Sequence, residues 1–453
     1  MLNENKLIRH VVLLILENRS FDQIFGYRNY YPPPYTVNGI SQCDSINKID
    51  RKYNKDKYGN KIYQNPIKAF TGEDSTVHDL KATLTCINGI NNNDFMSGFI
   101  LSQQLYIKDE NDSGNTIPVP AKDIMGYFPK GSFPVYEYIA DNFTICDSWF
   151  ASVPTMTLPN RAFALCGTSD GHIDNKSKCL GGKITYKCDT IFDRLNDKKL
   201  PWKVYYNDFP TSLTLEHQLY PHNLKNYENF CNFEKDIDEN NLPVFSLIEP
   251  EYYIESNTKK IEDVNNGQAL VAKILRKLQS NKEIWDSTLF IIEYDECGNY
   301  FDHVYPLKAI PPIKPKEGDL YTFDQYGLRV PAMIIGGRIP IGVDSTLYDH
   351  TSVLNFLEQN FELEPLTERD KNANNFNHLI LEIPRDDIIP IPKKFIYNGH
   401  STTFRTKETD SEFFHNLIEN HLLHIVTKIA NIMDETNDVL YKGINKIINI
   451  FNL

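Results

Sequence analysis

Three stretches and two isolated histidines carry the side chains best suited to chemistry. Glu17 and Asn18 end an unbroken apolar run, Val11 to Leu16. Glu293, Asp295, Glu296, Asp302 and His303 fall within a stretch, Glu293 to His303, that follows a second apolar run, Thr288 to Ile292. Like charges crowded so closely repel one another unless a cation neutralises them, and carboxylate and amide oxygens are natural ligands for a divalent ion. Thr157 lies in VPTMTLPNRAFALCG, where Pro159 suits the first position of a helix and Gly167 its stop. That spacing predicts Thr157 just ahead of a helix N-terminus, a place that favours anions, where a hydroxyl is either a nucleophile or an ordinary cap. His350, in YDHTSVL, and His78, in TVHD, are candidates by residue type alone, and Asp349 reads equally as the cap of the following helix.

The elements that must position these groups are legible from periodicity. VVLLIL (11–16), VFSLI (244–248), TLFII (288–292), AMII (332–335) and, more weakly, KVYY (203–206) read as strands buried on both faces. An amphipathic helix over 267–281 lies between two of them, so the expected class is α/β with a mostly parallel sheet covered on both sides. Glu17, Glu249 and Glu293 then stand at strand ends, where open α/β sheets bind their ligands, and one acidic cluster is the expectation. Ser20 and Gln23 have capping-box spacing, which makes Ser20 and Asp22 helix-start residues. Residues 38–68 read as a polar surface excursion with a turn near Tyr58, Gly59 and Asn60, and PLKAIPPIKPKEG as part of a long loop over one end of the sheet. A second capping box, Thr409 with Glu412, opens a periodic run to Leu440, so a helical extension (401–453) is expected after a catalytic domain (1–400).

Composition narrows the function. The 453 residues carry 47 basic and 60 acidic side chains, a formal charge of −13, which is the wrong sign for binding nucleic acid. The polar N-terminus lacks the pattern of a signal peptide and no apolar run is long enough for a spanning helix. The expected location is the cytoplasm, or outside the cell by a specialised export route. The eight cysteines have no Cys-x-x-Cys pair; free thiols are expected, with a Cys179–Cys188 loop as the alternative.

Seven segments in order, HVVLLILENRSFDQIFG (10–26), CDSWFASVPTMTLPNRAFALCGTSDG (146–171), IFDRLNDKKLPWKVYYNDFPTSL (191–213), SLIEP (246–250), TLFIIEYDECGNYFDHVYP (288–306), RVPAMII (329–335) and YDHTSVLNFLEQNF (348–361), resemble a phosphoesterase family. That family contains bacterial phosphatidylcholine-type phospholipases C, plant non-specific phospholipases C and certain bacterial acid phosphatases. The resemblance implies an alkaline-phosphatase-like α/β/α sandwich and a divalent metal, zinc by preference. It implies that Glu17, Asn18, Asp295 and Glu296 are metal ligands with Thr157, that Thr157 is the nucleophile, and that Asn18, His78, His303 and His350 hold the phosphate or assist catalysis. It also implies a glycerophospholipid substrate cleaved to diacylglycerol through a phosphothreonine. A phosphomonoesterase on the same scaffold and a degenerate lipid- or phosphate-binding module are the rivals. Two departures stand out: EYYIESNTKKIEDVNNG (251–267) has no histidine where relatives often read His-Pro, and YDECGN replaces YDEHGG. His217 or His222 is a candidate replacement acid. The C-terminal helix is read either as a peripheral membrane contact or as docked on the protein or a second copy.

Overall fold

The computed structural model describes residues 6–40, 52–68, 76–89, 94–106, 119–175, 186–207, 210–250 and 261–391. The Thr409 capping box, the C-terminal extension and Cys179 lie outside these residues, and Cys188 carries a free thiol. An eight-stranded sheet is built from β1 (His10–Leu16), β2 (Thr144–Cys146), β3 (Trp202–Tyr206), β4 (Tyr227–Asn229), β5 (Phe245–Glu249), β6 (Thr288–Tyr294), β7 (Ala332–Ile335) and β8 (Gly342–Asp344). Their order across the sheet is β8-β2-β7-β6-β1-β5-β3-β4. Only β7 runs against the rest, pairing antiparallel with both β6 and β2. The five strands read from the sequence are all present; β2, β4 and β8, three residues each, are too short to leave a periodic signal.

The helices used below are α1 (Phe21–Ile24), α2 (Leu80–Asn88), α3 (Pro134–Asn142), α4 (Thr157–Cys166), α5 (Ile191–Asp197), α6 (Ile261–Gln279) and α7 (Thr351–Phe361). Alternation along β6 shows that they cover both faces of the sheet, because successive strand side chains point to opposite sides. Tyr294 Oη meets Tyr136 Oη of α3 at 2.9 Å, whereas its chain neighbours reach the other way, Glu293 to His350 before α7 and Asp295 to Arg161 of α4. Val135 of α3 in turn bonds Gln268 of α6, so α3 and α6 share one layer while α4, α5 and α7 pack in the other. All seven β1 side chains are buried, as a strand covered on both faces requires.

Local chemistry accounts for the ends of these elements. Ser20 caps α1 by accepting from Gln23 N at 3.3 Å, and Gly167 stops α4 in the left-handed region at φ +68°, both as expected. Tyr53–Lys55 and Lys61–Tyr63 form the expected hairpin around Gly59. One boundary differs: α4 begins at Thr157 itself, with Met156 as its cap and Pro159 third in the helix. The first-turn N–H groups have no partner inside a helix, so proline is tolerated there as well as at the first position. Asp349 does not cap α7; it accepts from Thr351 Oγ1, Ser152 Oγ and the Arg369 guanidinium. Among the described residues no helix is long and apolar enough to cross a membrane.

Candidate active site

The register of β1 against β6 brings the two halves of the site together. The strands pair in parallel from His10↔Thr288 to Leu16↔Tyr294, and beyond them Asp295 N donates to Leu16 O at 2.8 Å and Arg19 N to Glu296 O at 3.2 Å. Glu17 and Asn18 therefore lie beside Asp295 and Glu296, joined by a cis Glu17–Asn18 peptide. The first turn of α4 supplies Thr157, whose Oγ1 lies 3.4 Å from Glu17 Oε2. His78, just before α2, fixes its Nδ1 proton on Thr76 O at 2.7 Å and turns Nε2 to within 3.6 Å of Glu296 Oε1. Six of the eight expected residues thus form one group: Glu17, Asn18, Thr157, Asp295, Glu296 and His78.

The other two are placed differently. His350 is fully buried, with Nε2 on Asp295 O at 2.7 Å and Nδ1 3.2 Å from Glu293 Oε2. Both ring nitrogens are committed behind the site, so His350 holds the Asp295 backbone rather than facing a phosphate. Burial pulls its pKa down, but the Glu293 carboxylate more than offsets this and the net shift is upward. His303 has Nδ1 2.7 Å from Asp22 Oδ2 and Nε2 3.1 Å from Asn38 Oδ1. It belongs to a second buried cluster in which the Arg329 guanidinium bonds Asp22 at 3.0 Å and Asp302 at 3.2 Å. Asp22 is therefore more than a helix-start charge. Asp22, Asp302 and His303 lie close enough to hold a metal, and the Arg329 guanidinium bonds both carboxylates there. Burial lowers the His303 pKa and the Asp22 carboxylate raises it further, for a net upward shift.

A pH dependence follows from that raised value. Protonated His303 contributes stability that is complete below its unfolded pKa, about 6.5, and is lost as pH rises through the higher folded value. The cost of His303→Gln, measured by urea denaturation, is expected to be largest below about pH 6.5 and to shrink at higher pH. A cost independent of pH would refute this assignment.

Arg161 was missed by the sequence reading. One turn after Thr157 on α4, its Nε bonds Asp295 Oδ2 at 3.1 Å and its Nη2 bonds Ile15 O at 3.2 Å. It also lies 3.6 Å from Glu249 Oε2 and 4.0 Å from Glu17 Oε1. Glu249, at the end of β5, is held further by Ser212 N at 2.9 Å and by the Thr211 hydroxyl. The signal was present: residues four apart share a helix face, so a threonine aimed at an acidic cluster brings an arginine with it. Arg19, unassigned from the sequence, lies over the Tyr300 ring at 5.1 Å and bonds Asn18 O.

Even with these cations the site is short of positive charge. Burial pushes the Asp295 carboxyl up to about 7 against the pull of Arg161, and Glu296 adds to the rise. Burial likewise drives Glu296 well above the carboxylate range, with Glu17 pushing the same way. Asn18 Oδ1 and Glu296 Oε1 are buried without a hydrogen-bond partner. Oxygen donors left unsatisfied beside strained carboxylates fit a divalent cation, for which Glu17, Asn18, Asp295, Glu296 and Thr157 are the available ligands.

The YDECGN departure has a structural account. Cys297 is buried and offers no exposed acid, while Asn299 adopts φ +51° and takes the place of a glycine. Its amide accepts from Thr83 Oγ1 at 3.0 Å and donates to Val77 O at 2.8 Å, which ties the turn to the segment bearing His78. The proposed substitutes do not reach the site: His217 bonds Asp193 of α5 at 2.9 Å, and His222 is exposed beside Tyr220. Asp193 Oδ2 already accepts from Thr190 N and Oγ1, so the Asp189, Asp193 and His217 group is a capping network.

Oxygen ligands gathered at the carboxyl ends of a mostly parallel sheet, with a hydroxyl beside them in the first turn of a helix, define an α/β enzyme acting on an anionic ester. The chain belongs to the Phosphoesterase family, whose profile matches residues 8–364, and is a phosphoric ester hydrolase. It is 30% identical over 407 residues to "Non-specific phospholipase C6" of Arabidopsis thaliana, covering 84% of this chain and 74% of that protein. To "Phospholipase C B" of Mycobacterium tuberculosis it is 26% identical over 401 residues, 78% of this chain and 73% of the relative. Among solved structures, a protein in the alkaline phosphatase superfamily from Vibrio parahaemolyticus is similar at 14% identity and a TM-score of 0.32, over 51% of this chain and 61% of that one.

Proposed function

We propose that the chain is a metal-dependent phospholipase C that cleaves glycerophospholipids to diacylglycerol and a phosphorylated head group. The observation that carries the reading is Thr157, whose hydroxyl lies 3.4 Å from Glu17 in the one place where Asn18, Asp295, Glu296 and His78 also meet. The names of the plant and bacterial relatives support the lipid substrate.

Glu17, Asn18, Asp295 and Glu296 would hold the cation, zinc in this reading, with Thr157 at its edge. When bound, it supplies positive charge that neutralises the carboxylates and makes the threonine hydroxyl more acidic. Thr157 Oγ1 attacks phosphorus and its proton passes to Glu17 Oε2 as the bond to the diacylglycerol oxygen breaks. His78, with both ring nitrogens protonated and Nδ1 donating to Thr76 O, gives its Nε2 proton to that departing oxygen. Water then gives a proton to His78 Nε2 and attacks phosphorus, the bond to Thr157 Oγ1 breaks as Glu17 returns its proton to that oxygen, and the phosphorylated head group leaves. Arg161 keeps Asp295 and Glu17 in place, and His350 anchors Asp295 from behind.

Chelation tests the reading directly. Treatment with a chelator is expected to abolish release of a phosphorylated head group from phosphatidylcholine, and added zinc to restore it. Inorganic phosphate released from small esters, with lipid left intact, would assign the scaffold to phosphomonoester hydrolysis instead.

A further inference from the structure

The proline-rich loop read from the sequence has a burial pattern of its own. Pro306, Ala309 and Pro312 are buried, whereas Leu307, Ile310 and Ile313 are 54%, 44% and 64% exposed. That is a period of three, the repeat of an extended proline-rich chain, and it sorts the side chains into an anchored row and an outward aliphatic row. The outward row is held in place. Ala309 N bonds Asp324 O at 2.9 Å, Tyr326 N bonds Leu307 O at 3.3 Å, Glu368 N bonds Pro312 O at 3.1 Å, and Arg369 Nε donates to Ile310 O. Aliphatic side chains fixed outward in a row form an apolar patch that gains by leaving water.

The surroundings say what covers it. From Tyr305 to Lys316 there are three lysines and no acidic residue, in a chain of formal charge −13. Lys308 pairs with Asp324 at 2.9 Å, while Lys314 and Lys316 are exposed. A two-fold partner of the same kind would set these lysines against each other, whereas an anionic surface complements them. Tyr305, two positions before the row, reaches α2. The Tyr305 ring packs on Phe95 at 4.8 Å and its hydroxyl lies 3.5 Å from Asn88 Oδ1. Asn88, with Leu80, Leu84 and Ile173, lines an open groove of about 640 Å³. One wall of that groove begins next to His78, and the other is tied to the nucleophile helix, since Thr155 Oγ1 donates to Ile173 O at 2.5 Å.

We propose that Leu307, Ile310 and Ile313, flanked by Lys314 and Lys316, seat the protein on an anionic phospholipid surface beside the groove lined by Leu80, Leu84, Asn88 and Ile173. The inference rests on the phospholipase reading for its purpose, but docking is measured without catalysis. Full-length protein is expected to sediment with vesicles of equal parts phosphatidylcholine and phosphatidylserine, and less with phosphatidylcholine alone. The triple variant Leu307→Ser, Ile310→Ser, Ile313→Ser is expected to lose binding about tenfold or more, and Lys314→Glu with Lys316→Glu to lose the preference for the anionic vesicle. Both variants should cleave a soluble phosphodiester as wild type does. Wild-type protein that ignores both vesicles, or a triple variant that binds unchanged, overturns the proposal. So does a triple variant with a clearly altered melting temperature, which would show that the chain itself covers the row, or one that abolishes a dimer. Docking without lipid hydrolysis would keep this inference and remove the phospholipase reading.

Discussion

Thr157→Ala is expected to reduce kcat on a soluble phosphodiester by roughly 10,000-fold while leaving the melting temperature close to wild type. In the proposed mechanism the hydroxyl forms the covalent intermediate, and its bond to Glu17 is long at 3.4 Å, so its loss should cost chemistry and little stability. Thr157→Ser, which keeps the oxygen, should retain most of the activity. Steady-state kinetics on the three proteins check this. An alanine variant within about tenfold of wild type would show that water attacks phosphorus directly.

Arg161→Met is expected to destabilise the metal-free protein by roughly 3–5 kcal/mol, the usual cost of removing one partner from a buried ionic cluster. Arg161 is 4% exposed and Asp295, its closest partner, is fully buried; Glu249 and Glu17 lie within 4.0 Å. Without the guanidinium, three carboxylates at three strand ends face one another. Arg161→Lys keeps the charge but loses the planar fork that reaches Asp295 and Ile15 O together, so it should fall between wild type and Met. Urea denaturation of chelator-treated protein measures all three. Equal stability of the Met variant would mean that these carboxylates are already protonated and need no cation.

The sequence told most where chemistry and periodicity fall in the same few residues. Glu17 and Asn18 were legible because an apolar run has no reason of its own to end on them, and Asp295 and Glu296 because carboxylates crowd there. The direction of β7 was not legible, since AMII is equally apolar in either sense and direction is set by partners distant in the chain. Asp22 read as a helix-start charge because capping is a local pattern, whereas its guanidinium partner, Arg329, lies 307 positions away. His303 and His350 were found by motif, yet motif carries no orientation, and each turned out to spend both ring nitrogens on protein groups.

The in-register pairing of β1 with β6 also bears on how the molecule acquires its activity. Glu17 and Asp295 meet across 278 positions, and His78 and Thr157 enter from segments between them, so a fragment that lacks either end of that span lacks part of the candidate site. A slip of one position between these two strands would turn every side chain on one of them to the opposite face and break the site apart. Contacts so distant in sequence are costly to close and slow folding. The candidate site is thus assembled by the pairing of the two central strands and by no local segment of the chain.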